Sequence, residues 1–92
     1  MLLMSNEIKS TNQIKILFFA NLKELAGMRE ISLELPAGAR VKELKVILIQ
    51  EYPKLTKAME SVLVAVNKEF AFDEDVVPDK AEVAFFPPVS GG

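Results

Sequence analysis

The sequence predicts an α+β domain: a mixed sheet of about five strands packed on one main helix, with a short helix beside it and a flexible C-terminal tail. Three observations carry this expectation. Several short runs are β-branched or aromatic and punctuated by turn residues, one stretch is apolar at helical spacing, and the last strand-like run passes straight into Pro87-Pro88 and a closing diglycine. The 92 residues suffice for one domain. Half are hydrophobic and 26% charged, enough apolar material for a single core. A chain this small buries only about 60–65% of its unfolded surface, so its stability is expected to be modest.

Met1 to Asn12 shows no period and is rich in polar residues, and is expected to be a mobile N-terminal extension of a domain spanning residues 13–86. From Gln13, Ile14-Lys15-Ile16-Leu17-Phe18-Phe19-Ala20 reads as a strand, with Ile14, Ile16 and Phe18 on one face and Lys15, Leu17 and Phe19 on the other. Asn21 to Gly27 reads as a helix of barely two turns, capped by Asn21, backed by Glu24 and closed by Gly27. Arg29 to Leu35 alternates again, forming the second arm of a hairpin-like pair that Pro36-Ala37-Gly38 ends. Val41, Leu44, Leu48 and Tyr52 mark the main helix, which stops at Pro53. Its N-cap is poor, because Arg40 stands where Ser, Thr or Asp would help, and Val46 and Ile49 fall off the core stripe as surface apolar residues.

Lys54 to Ser61 reads as a connector. Val62 to Val66 is a short strand, turned by Asn67-Lys68 into Glu69-Phe70-Ala71-Phe72. Asp73-Glu74-Asp75 lacks calcium-loop spacing and reads as a solvated loop, and a turn at Pro78-Asp79-Lys80 leads to the last strand, Glu82 to Phe86.

Strand, strand, helix and three short strands, in that order, fit the β-grasp arrangement. If the last strand lies parallel beside the first, one sheet face packs Ile14, Ile16, Phe18, Val83 and Phe85 against Val41, Leu44 and Leu48. The other face then shows Leu17, Phe19 and Phe86, with Phe70 as a neighbour. Apolar residues on both sides of a sheet imply a second cover, expected to be another protein; the N-terminal extension or a second copy are the alternatives.

The closing residues 87–92 point to the chemistry. Pro87 and Pro88 form a stiff spacer, and Gly91 and Gly92 have no side chains to block entry into a narrow cleft. Six residues at 3.3–3.6 Å each reach about 20 Å, enough to bury a terminal carboxylate in another protein's active site. That carboxylate is ionised at neutral pH, a poor electrophile that must be activated before it accepts anything. Two terminal glycines alone are also what an inert chain end looks like; an unbroken run from an apolar strand through Pro-Pro to diglycine is harder to read that way.

The remaining chemistry is sparse. The chain has no Cys, His or Trp, which removes thiolate and imidazole catalysis, disulfides and typical zinc or iron–sulfur sites. No phosphate-cradling glycine loop is present, so self-contained catalysis is not expected, nor any cofactor or metal of its own. The net charge is −2 with acidic and basic residues interleaved, giving no basic face for nucleic acid. Met1-Leu2-Leu3-Met4 is too short for a signal peptide or membrane span, and the expected compartment is the cytoplasm.

Ile16-Leu17-Phe18-Phe19-Ala20 with Glu24-Leu25-Ala26-Gly27, then Ala65-Val66-Asn67, then Glu82 to Gly92 resemble, in order and spacing, the ubiquitin-like sulfur carriers, most closely the small subunits of molybdopterin synthases. The resemblance spans Ile14 to Gly92. It implies that a ubiquitin-activating-like adenylyltransferase uses ATP to adenylate Gly92, and that sulfur from a donor protein replaces AMP to give a thiocarboxylate. The tail then delivers this sulfur to a cyclic pyranopterin monophosphate bound by the large subunit, in a heterotetramer of two small and two large subunits. Gly92 is the implied sulfur carrier and Gly91 the slim approach. Phe19, Phe70 and Phe86 are the implied docking patch, with Pro87, Pro88, Val89 and Ser90 as the inserted tail. A carrier for thiazole synthesis or tRNA thiolation, a protein modifier, and a β-grasp binding module with an inert tail remain the alternatives.

Overall fold

A computed structural model describes residues 11–88. The elements are β1 (Thr11–Phe18), α1 (Asn21–Ala26), β2 (Glu30–Pro36), α2 (Val41–Glu51), β3 (Leu63–Val66), β4 (Glu69–Ala71) and β5 (Glu82–Phe86). They form one five-stranded sheet in the order β2-β1-β5-β3-β4, crossed on one face by α2. β1 and β2 are antiparallel, with Ile14 opposite Leu33 and Ile16 opposite Ile31, and α1 sits in their connection. β5 returns to the sheet centre, parallel to β1 and antiparallel to β3. This is the β-grasp arrangement anticipated from the order of elements.

Strand parity decides the core. Ile14, Ile16 and Phe18 of β1 and Val83 and Phe85 of β5 are buried against Val41, Leu44 and Leu48 of α2. The Phe18 and Phe85 rings stack with centroids 6.1 Å apart, and Tyr52 meets Phe18 edge-on at 6.3 Å. Asn67 and Lys68 both take positive φ, as the tight turn of the β3–β4 hairpin requires. Asn67 also holds the start of β5: its N–H donates to the Glu82 carbonyl at 2.8 Å, and its Oδ1 accepts the Glu82 N–H at 3.0 Å.

Several elements depart from the sequence expectation. β1 starts at Thr11, because Thr11 and Asn12 pair with Pro36 and Leu35, so the expected extension loses residues 11 and 12 to the sheet. The remainder of that extension lies outside the described residues. Asn21 does not cap α1; the cap position belongs to Ala20, while Gly27 closes the helix in the left-handed conformation with φ 84°. The connector contains two 3₁₀ turns, Pro53–Leu55 and Ala58–Glu60, which bury Leu55 and Met59. Ile49 is half-buried against the core, whereas Val46 is 50% exposed.

The acidic loop is also more than a solvated turn. The Asp75 carbonyl accepts the Val41 N–H at 2.9 Å and the Asp73 carbonyl accepts the Lys42 N–H at 3.0 Å, satisfying donors that every helix start leaves open. Glu43 Oε1 accepts the Arg40 N–H at 2.7 Å, and Arg40 Nη1 donates to the Glu74 carbonyl at 2.7 Å. Lys42 pairs with Glu74 at 3.1 Å and Lys45 with Asp73 at 2.8 Å. The missing N-cap side chain of α2 is thus replaced by a distant backbone strap, which is why Arg40 is tolerated at that position.

Candidate functional site

The candidate site is the root of the tail and the sheet face beside it. β5 occupies the middle of the sheet, hydrogen-bonded to β1 on one side and β3 on the other, so the chain leaves the domain from a strand held on both edges. Pro87 is half-buried at that exit and Pro88 is exposed. Val89, Ser90, Gly91 and Gly92, the rest of the tail expected over residues 87–92, lie outside the described residues.

Register assembles the uncovered face. Leu17, Ala84, Ala65 and Phe70 form one row across four strands, because Leu17 pairs with Ala84, Ala84 with Ala65, and Ala65 with Phe70. The next row toward the exit holds Phe86 opposite Leu63. Phe19, just beyond β1, stacks on Phe86 with ring centroids 4.7 Å apart and planes 11° from parallel. Phe19 is 42% exposed and Phe70 73% exposed, large apolar surfaces left to solvent on a half-covered sheet. The structure therefore brings Phe19 and Phe86 into direct contact, and places Phe70 on the same face two strands away.

At the other end of the strands the same face turns polar: Lys15 lies opposite both Ser32 and Glu82, and its Nζ is 3.9 Å from Glu30. The apolar patch is thus confined to the half of the face from which the tail departs.

Two contributors escaped the sequence reading. Leu63, 40% exposed, completes the row beside Phe86, but its parity was readable only once β3 was registered against β5. Phe72, 75% exposed, follows β4 and lines, with Leu63, Phe70 and Lys45, a shallow groove of about 630 Å³ around the sheet edge. No cluster of three or more potential metal ligands occurs among the described residues.

The match to known proteins runs from within β1 to the last residue: the family model described as ThiS family covers residues 16–92. The chain belongs to the ThiS family. This ThiS-family chain is 39% identical to the molybdopterin synthase sulfur carrier subunit of Chlamydomonas reinhardtii, over 87% of its own length and 99% of the relative's. Among solved structures, SAMP1 from Haloferax volcanii superposes with a TM-score of 0.78 at 28% identity, covering 88% of this ThiS-family chain and all of that one. A chain in the complex of subunits 1 and 2 of the molybdopterin-converting factor from Helicobacter pylori shares the fold, with a TM-score of 0.62 at 21% identity and coverages of 87% and 99%. No helix among the described residues is long and apolar enough to cross a membrane.

Proposed function

We propose that this protein is the sulfur carrier subunit of molybdopterin synthase, acting through the carboxylate of Gly92. The observation that carries the reading is the pairing of a tail root fixed in the sheet centre with an apolar face confined to the same end of the sheet. The extensive identity to sulfur carrier subunits supports it.

In the cycle, an adenylyltransferase of the ubiquitin-activating kind transfers AMP from ATP to the Gly92 carboxylate, releasing pyrophosphate. The resulting mixed anhydride has a good leaving group. Sulfur delivered at the sulfide level by a donor protein then attacks the acyl carbon and displaces AMP, forming the carbon–sulfur bond as the acyl–phosphate bond breaks, and leaves a thiocarboxylate whose anionic, polarizable sulfur is a nucleophile. The large subunit receives the tail and binds the cyclic pyranopterin monophosphate, and its groups supply the acid–base chemistry. Two loaded tails are needed for each dithiolene, which fits a heterotetramer of two small and two large subunits. Phe19, Phe70 and Phe86 hold the domain against the partner while Gly91 lets the terminus pass through the cleft.

Incubation with the activating enzyme, ATP and a sulfur source is expected to give an oxygen-to-sulfur mass gain by intact mass spectrometry. Adding the large subunit and the pterin precursor is expected to return the original mass with formation of the dithiolene product. Deletion of Gly92 that left product formation intact would overturn the mechanism. The likeness to the small archaeal modifier protein 1 of Haloferax volcanii favours a second reading, a protein modifier, whose carboxylate would form isopeptide bonds to lysines. A ladder of conjugates in place of released sulfur would establish it.

A further inference from the structure

We propose that the groove walled by Phe72 beside β4 is a second anchor point for the large subunit, taking an apolar side chain of that partner; the inference rests on the sulfur-carrier reading above and extends its docking surface. Phe72 stands two residues after Phe70, just past the end of β4, and so keeps the parity of the uncovered face. It shares the groove with Leu63, which lies opposite Phe86 of β5. Leu63 therefore links the stacked pair Phe19 and Phe86 on one side to Phe72 on the other, and an apolar row runs from the end of β1 to the sheet edge. Phe70 and Phe72 are also the most exposed large apolar residues among those described, at 73% and 75%. Contiguous apolar surface of this kind marks an interaction site.

Size selects the occupant. Neighbouring strands lie about 4.8 Å apart, so β4 is only about 10 Å across the sheet from β5, which carries the tail root. A partner that covers about 800 Å² of a domain makes a footprint about 16 Å in radius. Centred on Phe86, that footprint reaches the groove, so the body that receives the tail meets Phe72 within one continuous interface. Chemistry selects how they meet. The charged groups at the groove rim are engaged within the chain: Lys45 Nζ pairs with Asp73 at 2.8 Å, and Glu74 with Lys42 at 3.1 Å. The Phe72 backbone is engaged as well, its N–H donating to Asp75 Oδ2 at 2.7 Å and its carbonyl accepting the Asp75 N–H at 3.0 Å. The groove therefore presents a preformed apolar wall, matched by an apolar side chain and not by a new ion pair or by strand pairing at Phe72. Aromatic residues in such positions are what interface cores are enriched in, with charged ones depleted.

The test titrates purified large subunit with the native full-length chain and with Phe72→Ala, Phe72→Leu and Val46→Ala, read by calorimetry. Val46 is a control, half-exposed on α2 away from the uncovered face. Phe72→Ala is expected to melt within about 4 °C of the native chain, because an exposed ring is removed. Its Kd is expected to rise roughly 10- to 100-fold, as for truncation of an anchor. Phe72→Leu keeps the groove wall apolar and is expected to lose less than about 5-fold, while Val46→Ala binds as the native chain does. The ratio of the Phe72→Ala and native Kd values is expected to hold between about 0.05 and 0.5 M salt, since no exposed charge pair is involved. Native affinity in Phe72→Ala would overturn the assignment, as would a loss that fades with salt or an equal loss in Val46→Ala. Sedimentation of the free chains and an adenylation assay cover the other occupants. Self-association lost in Phe72→Ala at unchanged large-subunit affinity would give the groove to a second copy, and slowed adenylation at unchanged affinity would give it to the activating enzyme; either result overturns the proposal. A native chain that did not bind the large subunit at all would reject the sulfur-carrier reading and this inference together, whereas native binding with an indifferent Phe72→Ala would reject the groove alone.

Discussion

At the residue scale, the stacked pair Phe19 and Phe86 separates what the fold needs from what docking needs. Phe85, one position earlier, is fully buried beside Phe18, whereas Phe86 faces the uncovered side. Replacing Phe86 with Asp is therefore expected to lower the melting temperature by only about 4–8 °C per kcal/mol of lost stacking and strand propensity, leaving the buried core and the fold in place. Its association with the large subunit should weaken by about 2–4 kcal/mol, the scale of a buried aromatic anchor, as read by calorimetric titration. Unchanged affinity would remove Phe86 from the interface. Gly27 makes the opposite case. An added Cβ there meets nothing within 4 Å, but φ is 84°, so the cost of Gly27→Ala is conformational alone. A loss of about 1 kcal/mol in denaturant unfolding is expected, with partner affinity unaffected.

At the element scale, local periodicity exposed much of the sheet and helix but not what closes their ends. The alternation of Ile14, Ile16 and Phe18 placed β1 in the core because a half-buried strand imposes period two on its side chains. The same logic located Phe19, Phe70 and Phe86 on the free face before their contacts were known. Leu55 and Met59 were illegible because single anchors in 3₁₀ turns carry no period. The strap over α2 was illegible for another reason: its acceptors are backbone carbonyls of Asp73 and Asp75, about thirty residues from the donors they satisfy. The identity of the side chains hardly records such a contact. What does record it is Asp75, whose Oδ2 accepts the Phe72 N–H at 2.7 Å and fixes the turn that aims both carbonyls. Asp75→Ala is expected to cost about 1 kcal/mol, comparable to losing a helix cap, with the first amides of α2 showing faster hydrogen exchange. Leu55→Ala empties a fully buried site and is expected to cost about 2–5 kcal/mol by denaturant unfolding, making it the more damaging change despite lying in a segment that reads as a mere connector.

At the scale of the whole molecule, the described residues 11–88 hold a five-stranded sheet and its packed core, whereas the proposed reactive carboxylate belongs to Gly92, six residues past the end of β5. Folding and reactivity are then separable. In a protein whose active groups sat in its core, removing them would disturb packing; here the proposed reacting group is a backbone carboxylate beyond the last described strand. Truncation after Pro88 retains every described strand and core side chain and is expected to shift the melting temperature by less than about 2 °C. The same truncation should abolish adenylation and sulfur loading altogether, while the apolar face still binds the large subunit and competes with the full-length carrier. A truncated chain that folded but failed to compete would place most of the docking energy in the tail, leaving Phe19, Phe70 and Phe86 as exposed apolar surface without a partner. Competition at near-native affinity would establish the division of labour that the sheet topology implies: β5, held on both edges, anchors the tail, and the face beside it selects the cleft the tail enters.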